Sequence, residues 1–216
     1  MSIWAPSAEA RRYFWFAEEF LAPAPARLLA IGGLSGAGKS TLAAELAPYL
    51  GRPPGAVHLR SDIERKKLFH VAETHRLHAA AYNRAASQQV YSRLCRKAEA
   101  ALRAGQSVVL DAVHSTEEER AAVEAIARRL GVAFSGLWLE APLSVRLDRV
   151  AARKDDASDA AAAVVRAQAS LANEAIDWRR LDVSGGSQTT FEAARRCLDC
   201  PKSPIERRSP PRFNAP

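Results

Sequence analysis

The sequence predicts an α/β fold, a parallel sheet with helices on both faces. Three observations carry this expectation. Short apolar runs alternate with longer stretches of helical periodicity along most of the 216 residues, the pattern of repeated βα units. The stretch LLAIGGLSGAGKSTLAAEL, from Leu28, sets a glycine-rich turn between a strand and a helix. Two acids, Asp62 and Asp111, close later strand patterns, and open parallel sheets bind ligands outside the carboxyl ends of their strands.

The elements follow in order. Ser7 to Leu21 repeats Ala10, Tyr13, Phe14, Ala17, Phe20 and Leu21 at helical spacing, between Pro6 and the pair Pro23 and Pro25. Residues 1–26 therefore read as an amphipathic helix and linker, with the helix packed on the core. Glu18 and Glu19 on its polar face argue against a membrane-surface role. Residues 27–200 form the main domain. Leu28–Ile31 is a buried strand, and a helix runs from Thr41, with Leu42, Ala43 and Leu46 on its apolar face and Gly51 closing it. GRPPGA is a turn, Val57–Arg60 a second strand, and IERKKLF a helix. His70, His75 and His78 sit in a loop; the last two could share a helix face, but no third metal ligand is evident. Ala79–Ala104 is a long helix closed by Gly105, and Ser107–Leu110 a third strand ending in Asp111. Glu117–Leu130 is a helix closed by Gly131, Phe134–Glu140 a fourth strand, and Pro142 opens the helix Leu143–Arg153. After the polar loop KDDASDA come the helix Ala160–Ala172, a fifth strand at Arg180–Val183, a turn at Ser184–Gly186 and a closing helix at Phe191–Leu198. Residues 201–216 are proline-rich and carry +3 of the formal +7 charge, which reads as a disordered basic tail.

Composition narrows the class. No apolar run approaches a membrane span and no secretory signal is visible. Three cysteines, an odd number, argue against a disulfide framework and fit a cytoplasmic chain. Cys197 and Cys200 form a C-x-x-C without a second pair, which reads as structural.

The chemistry centres on Gly33, Gly38, Lys39 and Ser40, which match G-x-x-x-x-G-K-[ST], the phosphate-binding loop. Gly33, Leu34, Ser35, Gly36, Ala37, Gly38, Lys39, Ser40 and Thr41 form the cradle. Glycines let the backbone N–H groups from Ser35 to Ser40 turn onto a phosphate, and the helix N-terminus adds positive potential. Lys39 reaches the β- and γ-phosphates, and Ser40 offers its hydroxyl to Mg²⁺. Asp62 stands where a carboxylate can take the proton of an attacking hydroxyl; it equally suits the N-cap of the next helix. Arg65, three residues on, could hold the acceptor; Lys66 and Lys67 read as solvated. Asp111 ends VVLDA in the placement that holds Mg²⁺, and the two acids could exchange roles. Arg149 and Arg153, four apart before a polar loop, suit a small lid that closes on phosphates. Arg166 and Arg120 are weaker candidates, and the turn Ser184–Gly186 could lie against a base.

These residues resemble a known group. The glycine loop, SDIER at Ser61–Arg65, AGQSVVLDA at Ala104–Ala112, and Arg149 and Arg153 with DASDA look like the P-loop kinases of the polynucleotide-kinase and zeta-toxin-like branch. More closely, they are similar to the C-terminal ATP-binding domain of bifunctional aminoglycoside phosphotransferase/ATP-binding proteins. The resemblance covers about Leu28 to Leu198. It implies a three-layer P-loop NTPase fold, a five-stranded parallel sheet in the order 2-3-1-4-5, and ATP as donor with Mg²⁺. It maps the base onto Asp62, the acceptor-side arginine onto Arg65, and lid arginines onto Arg149 and Arg153. It also implies a fused or associated phosphotransferase-like domain. The expected activity is transfer of the γ-phosphate of ATP to a small-molecule hydroxyl. Two alternatives are a 5′-hydroxyl polynucleotide kinase, for which Phe69, Tyr82 and Tyr91 would be stacking platforms, and an ATP-binding regulatory module with slow hydrolysis. Nucleic acid is the less favoured partner.

Overall fold

A strand flanked by parallel neighbours and covered on both faces must be apolar at nearly every position, and the first strand is. β1 (Arg27–Gly33) has six of its seven residues buried. In the computed structural model, which describes residues 7–21, 25–152, 158–159, 162–169 and 176–200, β1 is the middle of a five-stranded sheet. The others are β2 (Val57–Arg60), β3 (Val108–Asp111), β4 (Ala133–Glu140) and β5 (Arg179–Asp182), in the order β2-β3-β1-β4-β5 and parallel throughout. This is the order that the resemblance implies. The register aligns Arg60, Asp111 and Ile31 at the carboxyl ends of β2, β3 and β1, so the acids and the glycine loop share one rim.

Alternation along β1 divides the core in two. Leu29 and Ile31 join Leu42 and Leu46 of α2 (Lys39–Leu46) and Ala194 of α8 (Ser187–Cys197) on one face. Leu28 and Ala30 join Val90 and Leu94 of α4 (Arg84–Arg103), and Val123 and Ile126 of α5 (Glu117–Leu130), on the other. α6 (Leu143–Ala151) and α7 (Ala162–Ala169) lie between β4 and β5 in the chain, and α3 (Ser61–Leu68) follows β2.

Several boundaries differ from the expected ones, each for a local reason. α4 starts at Arg84 because the Asn83 side chain caps it, accepting from Ala86 N–H at 2.8 Å; Ala79–Tyr82 is a separate 3-10 turn. α2 ends at Leu46, and Pro48, which lacks an N–H, continues the chain as a 3-10 turn. Gly51 therefore lies beyond the helix cap. α8 begins four residues early, at Ser187. His75 and His78 lie in a loop rather than on a helix, and no metal-binding group of three His, Cys, Asp or Glu occurs among the described residues. Cys95, Cys197 and Cys200 are free thiols.

α1 (Ala8–Leu21) forms where expected, with Ser7 Oγ accepting from Ala10 N–H at 3.1 Å. It does not bury its apolar stripe: Tyr13, Phe14 and Leu21 are 68, 67 and 81 % exposed. The two core faces are already closed by α2 and α8 and by α4 and α5, so little apolar surface remains for it. No described helix is long and apolar enough to cross a membrane.

Trp178 lies flat over β4 only because Gly136 has no side chain; a Cβ there would stand 2.5 Å from Trp178 Cγ. Gly136→Ala is expected to cost about 1–3 kcal/mol by overpacking, read as a lower urea midpoint at unchanged m-value.

Candidate active site

β1 delivers the chain to α2 through a loop that only glycines can form. Gly33, Gly36 and Gly38 have φ of 136, 85 and 92°, a region that side-chain-bearing residues rarely adopt. At Gly36 there is also no room, since a Cβ would lie 2.5 Å from the Arg146 carbonyl oxygen on α6. The loop is tied inwardly as well. Ala37 N–H donates to Leu34 O at 3.1 Å, and Gly33 N–H donates to Val113 O at 3.1 Å. Lys39, the first residue of α2, folds back so that Nζ donates to Leu34 O at 3.2 Å.

The charge of this lysine acts on both predicted acids. Asp111 is buried at the end of β3. His58 Nε2 is 3.3 Å from its Oδ2, and Arg60 Nε is 3.6 Å from the same oxygen. Burial alone would raise the Asp111 pKa. The hydrogen bond with His58, the Lys39 charge and the hydroxyl of Ser40 outweigh it and hold the carboxyl below its ordinary range. Asp62 has the opposite bias. It lies in the first turn of α3, whose N-cap is the extended Arg60, so it does not cap the helix. Burial and the nearby Asp111 charge push its pKa up, against the opposing pull of Lys39, the Ser158 hydroxyl and Arg60.

Arg149 reaches from α6 to the glycine loop. Its Nη1 donates to Ala37 O at 3.3 Å, and its Nη2 donates to Val183 O at 2.6 Å and Gly185 O at 3.0 Å. With Gly38, Thr41, Gly186 and Thr190 it lines a cleft of ≈ 620 Å³. The turn after β5 thus lies beside the loop. Arg153 and residues 201–216 lie outside the described residues, as does most of the KDDASDA segment. Arg166 is exposed on α7, and Arg120 braces the β3–α5 loop by donating to His114 O and Ser115 O, each at 3.0 Å.

Arg65 is buried and committed to the protein. It donates to Ala81 O at 2.7 Å and stacks its guanidinium 4.7 Å from the Tyr82 ring centroid. Lys66 is not solvated: it is 1 % exposed, donates to His75 O, and pairs with Asp159 at 2.6 Å. Asp159 also accepts from Leu77 N–H at 2.9 Å and Tyr82 Oη–H at 2.7 Å, so this residue of the polar loop is fastened to the α3 side. Lys67 is exposed, as expected. Tyr91 packs edge-on against the buried His114 ring, which leaves it a poor stacking platform. The sequence reading also missed Gln168 on α7, whose Oε1 accepts from Ser35 N–H at 2.8 Å. No local pattern announces that contact, because α7 must first dock on the loop.

Sheet order, glycine loop and the acid ending β3 together define a P-loop NTPase fold. A family model described as an AAA domain matches residues 28–174, and the chain belongs to that family. An uncharacterized protein of Mycobacterium tuberculosis (strain ATCC 25618 / H37Rv) is 33 % identical over 186 residues. The match takes in 83 % of this chain but 36 % of that relative, so the chain spans about a third of its length. An unliganded sugar kinase from Janibacter sp. HTCC2649 superposes with a TM-score of 0.58 at 20 % identity, over 81 % of this chain and 95 % of the kinase. The Mycobacterium tuberculosis APS kinase CysC, in complex with AMPPNP and APS, gives 0.54 at 19 % identity, over 82 and 98 %.

The two acids make opposite contributions to stability. A carboxyl whose folded pKa is raised costs stability above that pKa, and the cost fades as pH falls through it. One whose folded pKa is lowered adds stability above the unfolded range, lost as pH falls through the lowered value. Asp62→Asn is therefore expected to raise Tm at neutral pH and Asp111→Asn to lower it, with both differences shrinking in acid. Calorimetry of both variants across pH checks the sign of each.

Proposed function

We propose that the chain is an ATP-dependent phosphotransferase that moves the γ-phosphate of ATP–Mg²⁺ to a hydroxyl of a small molecule. The observation that carries this reading is a proton-biased carboxyl, Asp62, set against the same lysine as a charge-biased one, Asp111. A carboxyl of the first kind is suited to take the proton of an attacking acceptor hydroxyl. The fold likeness to a sugar kinase and an APS kinase supports the class.

In this reading the loop Gly33–Thr41 holds the phosphates, with Gly36 and Gly38 to Thr41 supplying backbone N–H groups, since those of Gly33, Ser35 and Ala37 already donate to Val113 O, Gln168 Oε1 and Leu34 O. Ser40 and Asp111 would hold Mg²⁺; a hydroxyl and a carboxylate already in contact are a hard-oxygen pair of the kind that ion takes. When bound, the ion neutralises charge on the β- and γ-phosphate oxygens. Lys39 steadies the γ-phosphate. Arg149, whose described partners are carbonyls, is not spent on an acid and would face the moving phosphoryl group; Arg153, to which the resemblance gives the same role, lies outside the described residues. Asp62 accepts the proton of the acceptor hydroxyl. Arg65 serves the acceptor side by fixing Tyr82 and the turn at Ala81 as its wall. Asp159 is held against α3 by Lys66 and against the turn before α4 by Tyr82. The exposed apolar face of α1 and the greater length of the relatives fit a fused or associated phosphotransferase-like domain. A cytoplasmic location fits the free thiols.

The test is transfer of labelled γ-phosphate from ATP–Mg²⁺ to sugar acids, nucleosides, nucleotide sugars, aminoglycosides and a 5′-hydroxyl oligonucleotide. One acceptor class is expected to take label. Asp62→Asn is expected to slow that transfer by roughly 10²–10⁴-fold, the worth of a general base, and Lys39→Ala to abolish it. Slow phosphate release that survives Asp62→Asn, with no acceptor labelled, contradicts the reading and marks a regulatory module.

A further inference from the structure

A second cavity, of ≈ 230 Å³, opens on the other side of the glycine loop. Leu34 of the loop, Ser115 after β3, Trp138 of β4 and Gln168 of α7 line it, and so does Arg146 of α6. Arg146 is 5 % exposed. Its Nη1 is buried without a hydrogen-bond partner, and no acid among the described residues pairs with it. The acid at the cavity, Glu140, is taken by Arg180 at 2.5 Å. The lining therefore keeps one uncompensated positive charge. An isolated buried charge is costly, and burial works against this one, lowering the Arg146 pKa; a guanidinium nonetheless stays protonated. Its planar fork matches a carboxylate or a phosphate, the groups that would satisfy it. Beside it, Trp138, 8 % exposed, offers an apolar wall.

We propose that this cavity is a binding site for a small molecule that carries a carboxylate or a phosphate, with Arg146 as the residue that recognises the anion and Trp138 as the wall for its apolar body. The site stands on the cavity itself. It is separate from the acceptor side that the kinase reading gives to Asp62 and Arg65, and it borders Leu34 and, through Gln168, the Ser35 N–H of the loop.

Binding is measured by ligand-observed NMR on the full chain, with AMPPNP–Mg²⁺ present to occupy the glycine loop. The probes are benzoate, phenyl phosphate and the uncharged benzamide. One of the anions is expected to bind at least about tenfold tighter than benzamide, as a charge-assisted hydrogen bond should give. Whichever anion leads assigns carboxylate or phosphate chemistry. The preference is expected to vanish in Arg146→Gln and to persist in Arg146→Lys, which keeps the charge. Equal binding of all three probes, no binding, or a preference unchanged in Arg146→Gln overturns the proposal. The titration reads binding and not transfer. A preference carried by Arg146 in a protein that labels no acceptor would overturn the kinase reading and leave the site standing.

Discussion

One ammonium charge felt by two carboxylates in unequal surroundings governs this rim of the sheet. Lys39 acts on both Asp111 and Asp62. Asp111 has His58 and Ser40 as well, and its charge is stabilised despite burial. Asp62 has weaker support and feels Asp111 itself as a like charge. Pairs of titratable groups pushed in opposite directions are how one site keeps one acid charged and the other able to take up a proton. The register of β1, β2 and β3 sets this up, because it brings Arg60, Asp111 and Ile31 to one level and the chain turns into the glycine loop just beyond.

The glycine loop is held from α6 and α7 too. The first turn of α6 presses on Gly36, Arg149 spans from Ala37 to the turn after β5, and Gln168 holds the Ser35 N–H. The phosphate cradle and the helices that flank the polar loop are thus mechanically one piece. On the opposite side Asp159 binds Lys66, Leu77 and Tyr82.

Features written locally were legible in the sequence. α5 was read to the residue, because the Thr116–Glu119 capping box opens it and Gly131, at φ 66°, closes it. The parallel sheet and the convergence of the glycine loop with Asp62 and Asp111 followed from strand-end logic alone. Features decided by distant partners were not legible. Lys66 sits in a run of charges that looks solvated, yet its partner Asp159 lies 93 residues away. Arg65 is drawn inward by the turn at Ala81 and the ring of Tyr82. The periodicity of α1 showed that it is amphipathic but not that its apolar face lacks a core to meet. The start of α4 was misplaced because the alanines before Asn83 extend the helical pattern past the true cap.

The central claim is the division of labour between the two acids. The most direct measurement is a carbon-13 NMR titration of the aspartate side-chain carboxyls in the nucleotide-free protein, with Asp62→Asn and Asp111→Asn to assign the signals. The account predicts one carboxyl that titrates above the ordinary aspartate range and disappears in Asp62→Asn, and one that titrates below it and disappears in Asp111→Asn. Both acids titrating in the ordinary range, or the reverse assignment, would contradict it.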